Sequence, residues 1–170
     1  MNRYILYNKP KKIDLKHIPV HLSKAFFKIF KGLSYSSISL DTNYSGLVLF
    51  YQDETFDIEK RSKKIKVLLD IQFKNDLKNN EIKNIKEDMF SVDKNSNFAF
   101  KSSELGVETT LYFQNSITDI LKKIDSLNID RVLISNLDKF EIPRGNYRVL
   151  KDIEVFNFKS LSHSPNKTPR

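Results

Sequence analysis

The amino-acid sequence predicts an α+β domain in which helices flank a mixed β-sheet. Three observations carry that prediction. Short apolar runs of strand character, among them Leu47 to Tyr51 and Ile65 to Phe73, alternate irregularly with helix-spaced segments, which suits a mixed sheet better than a regular doubly wound one. Only four glycines occur in 170 residues, and neither GxGxxG nor GxxxxGK[ST] is present, so a local phosphate-cradling loop is excluded. The composition, 39% apolar, 29% charged and 12% aromatic, belongs to one folded unit with its own core.

Taken in order, Arg3 to Tyr7 is a short strand stopped by Asn8-Lys9-Pro10, because proline and the residue before it disfavour helix. Between Val20 and Lys31, the apolar residues Leu22, Phe26, Phe27, Ile29 and Phe30 alternate with Lys24, Lys28 and Lys31, which predicts an amphipathic helix with a basic face, closed by Gly32. Tyr35 to Leu40 leans to strand, Asp41 to Gly46 is turn-rich, and Leu47 to Tyr51 has the continuous apolarity of a buried strand. Asp53 to Arg61 is expected to be a polar helix. In the strand Ile65 to Phe73, residues Val67, Leu69, Ile71 and Phe73 share one face.

Residues 74–97 are rich in Asn and Lys, with Leu77, Ile82, Ile85 and Met89 as a thin apolar stripe, so a surface helix and loop are expected. Val107 to Phe113 reads as a strand. Ser116 to Leu127 is the clearest helix, with Ile117, Ile120, Leu121, Ile124 and Leu127 at helical spacing and Ser116 with Asp119 resembling a capping box. Arg131 to Ser135 is a strand, and Tyr147 to Phe158 a mixed, helical end. The chain from Leu161 is polar and contains Pro165 and Pro169, so the domain is set at residues 1–158 and a disordered basic tail at 159–170.

Missing residue types narrow the chemistry. Without Cys there is no disulfide scaffold, thiolate zinc site or cysteine nucleophile, and three dispersed His argue against a metal cage, so no metal is expected. No apolar run approaches the roughly 20 residues that span a bilayer, and Lys9, Lys11, Lys12, Asp14 and Lys16 break up the start of the chain; a soluble cytoplasmic protein with no membrane partner is expected. The formal charge of +8 is unevenly spread. Residues 1–40 hold eight basic residues against one acid, residues 41–156 hold 18 against 20, and residues 157–170 add three more basic residues. Such ends favour a polyanion, nucleic acid ahead of membrane.

The segment Ile38 to Leu49 is the most informative. An acidic side chain on a polar turn between two apolar strands is rigidly held yet faces outward, which suits a nucleophile or general base and makes Asp41 a candidate catalytic residue. The segment resembles the active-site motif of pseudouridine synthases of the RsuA type, G-R-L-D-x-x-[TS]-[ST]-G-L-L. Asp41 falls on the catalytic aspartate, and Leu40, Ser45, Gly46 and Leu47 match in register. Tyr4-Ile5-Leu6-Tyr7-Asn8-Lys9-Pro10 is similar to the family's opening strand and N-K-P element, and Gly145-Asn146-Tyr147-Arg148-Val149-Leu150 to its G-x-Y-R-x-L signature, so the resemblance spans residues 3 to 154. The sequence also departs from the pattern. Ser39 stands where the family has an arginine that helps hold the flipped nucleotide, Lys64-Ile65-Lys66 aligns with the K-T-Y element, and in Asn115 to Lys123 Leu121 replaces an inner basic residue and leaves Lys122 as the nearest cation.

The resemblance implies a pseudouridine synthase fold with a mixed, mainly antiparallel sheet flanked by helices, in a divergent member without the S4-type domain that precedes it in many relatives. It implies isomerisation of uridine to pseudouridine in RNA, ribosomal RNA above all, by a monomer using no metal and no organic cofactor. The target nucleotide leaves the helical stack to reach the carboxylate. Asp41 acts as nucleophile or base, and Lys122 and Lys66 are the candidate catalytic cations. Lys9, Lys11, Lys12, Ser39, Tyr44, Lys64 and Arg148 are the candidate RNA contacts. The changes at Ser39, Lys66 and Leu121 also support a second reading, a relative that binds RNA or ribosomal precursors without modifying them.

Overall fold

The computed structural model describes residues 3–30, 34–124 and 126–163. Its elements are β1 (Arg3–Lys9), α1 (Val20–Ile29), β2 (Ser36–Ile38), β3 (Ser45–Gln52), α2 (Ile58–Arg61), β4 (Lys66–Phe73) and α3 (Asn79–Val92), then β5 (Asn97–Lys101), β6 (Glu104–Thr110), α4 (Leu111–Lys122), β7 (Ser126–Ile134), β8 (Leu137–Asp138), β9 (Tyr147–Val149) and α5 (Asp152–Leu161). The strands form one sheet in the order β5-β6-β4-β7-β3-β1-β9, with β2 paired to β3 and β8 to β7. Every ladder is antiparallel except β3 with β7, where Ser45 faces Asp130 and Gly46 faces Arg131. The expected α+β class, with a mainly antiparallel sheet and flanking helices, is the one observed.

Strand alternation splits the core into two layers. Ile5, Tyr7, Val48, Phe50, Leu69, Ile71 and Val107 point to the face covered by α1, α3 and α4, where they meet Leu22, Phe26, Ile85, Met89, Ile117 and Leu121. Tyr4, Leu6, Leu47, Leu49 and Tyr51 point to the other face and pack with Phe56 and with Val155 and Phe158 of α5. Because β1 and β3 are buried on both sides, their apolar runs are continuous, whereas β4 alternates buried Val67, Leu69, Ile71 and Phe73 with exposed Lys66, Asp70 and Gln72.

Several boundaries differ from those expected. The strand expected at Val107 to Phe113 ends at Thr110, and the helix expected from Ser116 begins at Leu111. The β-branched and aromatic run continues the strand pattern, but the amides of Leu111 and Tyr112 donate to the Ile65 and Ser62 carbonyls, tertiary acceptors that satisfy the first helical donors. Ser116 is therefore an exposed residue inside α4, not its cap, and Leu127 belongs to β7, which starts at Ser126 rather than Arg131. The polar helix expected over Asp53 to Arg61 shrinks to α2, capped by the Asp57 carboxylate. Part of the Asn/Lys-rich segment continues into edge strand β5. Gly32, expected to close α1, lies outside the described residues; α1 ends at Ile29, with Phe30 as its extended C-cap.

The expected domain limit at residue 158 also moves. α5 continues through Leu161, and Lys159 Nζ lies 2.8 Å from Asp53 Oδ2 and 2.7 Å from Thr55 Oγ1. Burial of Asp53 opposes its ionisation, but bonds from Lys159, Thr55 and Tyr4 outweigh it and hold the carboxyl down at about 2. Residues 164–170 of the expected tail lie outside the described residues.

The parallel contact between β3 and β7 depends on Gly46. Its φ is +115°, and a Cβ there would lie 2.3 Å from the Arg131 carbonyl oxygen. Gly46→Ala is expected to lower stability by about 2–4 kcal/mol, a drop of roughly 5–15 °C in Tm, as read by thermal denaturation.

Candidate functional site

Asp41 sits on the turn that joins β2 to β3. Its Oδ1 accepts the Asn43 amide at 2.9 Å and its carbonyl accepts the Tyr44 amide at 3.1 Å, so the carboxylate shapes its own turn while its side chain stays exposed. Beneath the turn lies Lys9, fully buried, whose Nζ donates to the carbonyls of Pro10, Thr42 and Tyr44 at 3.0, 3.2 and 2.6 Å. Burial pushes its pKa down to about 8, against the opposing pull of the Asp41 charge.

Arg131 of β7 anchors the same turn from the other side. It is wholly buried and, among the described residues, pairs with no carboxylate; its guanidinium donates to the Leu47 carbonyl through Nε at 2.9 Å and Nη2 at 2.7 Å, to the Ile38 and Ser39 carbonyls at 2.9 and 3.1 Å, and to Gln114 Oε1 at 2.9 Å. Desolvation lowers its pKa to about 9, which leaves it charged at neutral pH. One side chain thus fixes the end of β2, the start of β3 and the first turns of α4.

Next to it, Asp130 accepts from Ser45 Oγ at 3.0 Å, from Lys139 Nζ at 3.1 Å, and from both terminal nitrogens of Arg144 at 3.0 and 3.2 Å. Burial works against ionisation of Asp130, but these partners prevail and lower its pKa. Arg144 also donates to Asn8 Oδ1 at 2.6 Å, and the Asn8 backbone exchanges bonds with Gly145 and Asn146. Three segments remote in sequence, Asn8 to Pro10, Asp41 to Gly46 and Arg144 to Asn146, therefore meet at one point.

The meeting point opens on a cleft of about 500 Å³ between the Asp41 turn and α4. Ser39, Leu40, Asp41 and Tyr44 form one side, and Gln114, Asn115, Thr118, Asp119 and Lys122 the other. Positions 114, 115, 118, 119 and 122 recur at helical spacing, so one face of α4 supplies the wall. Lys122 Nζ lies 5.5 Å from the Tyr44 ring centroid. Among the described residues the buried Tyr44 hydroxyl has no hydrogen-bond partner of normal geometry. The contact between the two side chains raises the Lys122 pKa, with Asp41 and Asp119 adding to it. The cleft offers an exposed carboxylate, one cation, and amide and hydroxyl groups for a heterocycle, in the roughly 300–1,000 Å³ range of ligand sites.

A larger hollow of about 660 Å³ lies beside α5, but its cations are committed to holding that helix. Arg61 donates to the Lys159 carbonyl and Ser162 Oγ, and Lys159 to Asp53 and Thr55. Among the described residues no three His, Asp or Glu side chains converge to hold a metal ion.

The structure brings Asp41, Lys122, Ser39 and Tyr44 together at the cleft. Lys66, expected as a second cation there, is exposed at the start of β4, 3.8 Å from Glu108, and lines a separate hollow with Lys64. Lys9, expected to face RNA, is buried as the prop of the turn. Arg148, also expected to contact RNA, is paired at 2.7 Å with Glu154 of α5 and shares the sheet face of Leu6, away from the cleft. Lys11 and Lys12 stay exposed beside the turn, and the Lys12 amide donates to the Thr42 carbonyl at 2.8 Å. Sequence reasoning missed Arg131, Gln114, Asn115 and Thr118. The adjacent charges Asp130 and Arg131 inside the otherwise apolar stretch Ile129 to Ile134 were the available signal for Arg131; the α4 residues were hidden by the misplaced helix start.

No family model and no curated protein matches the sequence. Among solved structures, a crystal structure of a pseudouridylate synthase aligns with a TM-score of 0.61 at 14% identity, covering 93% of this chain and 74% of that one. The fold is that of a pseudouridine synthase. A second match, to the archaeal box H/ACA sRNP Nop10-Cbf5 complex, has a TM-score of 0.47 at 12% identity over 82% of this chain and 50% of the other, and carries no weight here. In this pseudouridine synthase fold the Asp41 turn stands above the middle of the sheet, over the β3–β7 contact.

Two measurements test the supports of the turn. Arg131→Met strands the Ile38, Ser39 and Leu47 carbonyls and is expected to cost about 3 kcal/mol or more, seen as a lower urea midpoint. For Lys9, the folded pKa of about 8 lies below the roughly 10.4 of an unfolded lysine. The folded state sheds its proton first, so this group makes stability rise between those two pH values and leaves it flat below them. The rise is expected in the wild type and not in Lys9→Met, compared by urea titration from pH 7 to 10.5.

Proposed function

We propose that this protein isomerises uridine to pseudouridine within RNA, with Asp41 as the acting carboxylate. One observation carries the reading: in a pseudouridine synthase fold, an exposed aspartate stands on a turn held by Lys9 and Arg131 and opens on a cleft of nucleoside dimensions. The order of motifs favours the RsuA branch and ribosomal RNA as the substrate.

In this mechanism an everted uridine enters between the Asp41 turn and α4, at a cost of a few kcal/mol in lost stacking. Asn115 and Thr118 present amide and hydroxyl groups to the edge of the base. The Asp41 carboxylate either bonds to C1′ or takes the proton from C2′ as the bond from N1 to C1′ breaks. The uracil turns and C5 bonds to C1′ as the Asp41–C1′ bond breaks or as the C2′ proton is returned; the C5 proton is released and N1 takes up a proton, so no atom is gained or lost overall. Lys122, 5.5 Å from the Tyr44 ring and 3.9 Å from Asp119, offsets the charge that develops on the departing base. The residues named here act without a metal or organic cofactor.

A second reading, RNA binding without isomerisation, is supported by Ser39 in place of an arginine and by the position of Lys66 outside the cleft. Release of tritium from RNA carrying [5-³H]uridine separates the two. Wild-type protein is expected to release tritium from ribosomal RNA, and Asp41→Asn to reduce release on the order of 10⁴-fold or more while RNA binding stays close to wild type. Absence of release from both ribosomal and transfer RNA leaves the binding reading in its place.

A further inference from the structure

α1 buries one side and presents a very different one to solvent. At 100° per residue, Leu22, Ala25, Phe26 and Ile29 cluster toward the core, while Val20, Lys24, Phe27 and Lys28 fall within an arc of about 100° on the outside. Phe27 is 82% exposed and Val20 72% exposed. Leaving a phenyl ring in water forgoes a burial gain that α1 realises with Phe26 one residue earlier. The ring is flanked by Lys24 and Lys28, no acidic residue occurs in the helix, and residues 3–30 hold seven basic residues against Asp14 alone.

We propose that this outer face of α1 is a platform for single-stranded RNA, on which an unpaired base stacks on Phe27 while Lys24 and Lys28 hold the adjoining phosphates. The proposal rests on the RNA-binding part of the function above and not on isomerisation. Aromatic rings set among cations are the surface that single strands need, because every base has a π-face and every linkage a charge. The location also fits. β1 ends beside the Asp41 turn and the loop that follows is tied to it through Lys12; α1 begins where His21 meets the Gly145 carbonyl, beside Asn8, and runs back along β1 until the Ile29 carbonyl meets Arg3. α1 covers the same face of the sheet as α4, which walls the cleft, so a strand running between the two sites does not cross the sheet. A second copy of the chain or a membrane fits less well. One ring and one valine are too little for a dimer interface of about 800 Å² per partner, and too narrow for an interfacial helix.

The chain has no tryptophan, so Phe27→Trp installs a single reporter. Its fluorescence is expected to be quenched by a twelve-residue oligouridine and not by an abasic oligomer of the same length. Phe156→Trp, on α5 across the sheet, is expected to report neither. Phe27→Ala is expected to weaken oligouridine binding about tenfold or more and leave abasic binding unchanged. Lys24→Gln with Lys28→Gln is expected to reduce the salt slope of binding by about 1.4. Absence of quenching, or an equal effect of Phe27→Ala on both oligomers, overturns the proposal. So does wild-type self-association, or binding to phosphatidylserine vesicles, that Phe27→Ala abolishes while oligouridine binding is unaffected. Quenching in a protein that releases no tritium refutes isomerisation alone.

Discussion

A buried guanidinium that is satisfied by carbonyl and amide oxygens holds this molecule's centre together. Arg131 loses its hydration entirely, and oxygens from β2, β3 and α4 replace the water. A planar, five-donor cation can satisfy several carbonyls at once, which a lysine in its place could not. It can do so only because β3 and β7 run parallel and close at Gly46 and Arg131, where any side chain at Gly46 would strike the neighbouring backbone. The same contact puts the Asp41 turn at the middle of the sheet and α4 opposite it. Cleft and core are consequences of one arrangement.

Two cations bracket the turn with different duties. Lys9, sealed beneath it, bonds to the carbonyls and shapes the backbone; Lys122, at the rim, remains open to a ligand. The sequence departs from the RsuA pattern on either side of Asp41, at Ser39 and at Leu121, yet it retains the elements that build the turn. Tyr44 occupies a position where the resembled pattern has threonine or serine, and the Lys122 ammonium lies 5.5 Å from its ring centroid.

Much of this was legible in the linear sequence where local and global demands agree. β1, β3 and β4 were readable because apolar run and alternation both reflect burial, and the turn at Asp41 because Asp, Asn, Ser and Gly cluster there between two apolar strands. The start of α4 was not readable. Strand-forming residues persist through Phe113, and the chain turns into helix at Leu111 because carbonyls of Ser62 and Ile65 accept its first amides. Lys9 and Arg148 looked like surface cations because charge in a sequence carries no information about what covers it. One is capped by the turn, the other by Glu154.

By itself the sequence determined which stretches could be strand or helix, the basic surplus at its ends, and an aspartate on a turn between strands, all set by side-chain chemistry within a few residues. Tertiary structure alone decided which charges serve the frame and which face the cleft. That division depends on desolvation and on carbonyls brought together from positions as far apart as 38, 47 and 131, distances along the chain that no local pattern records.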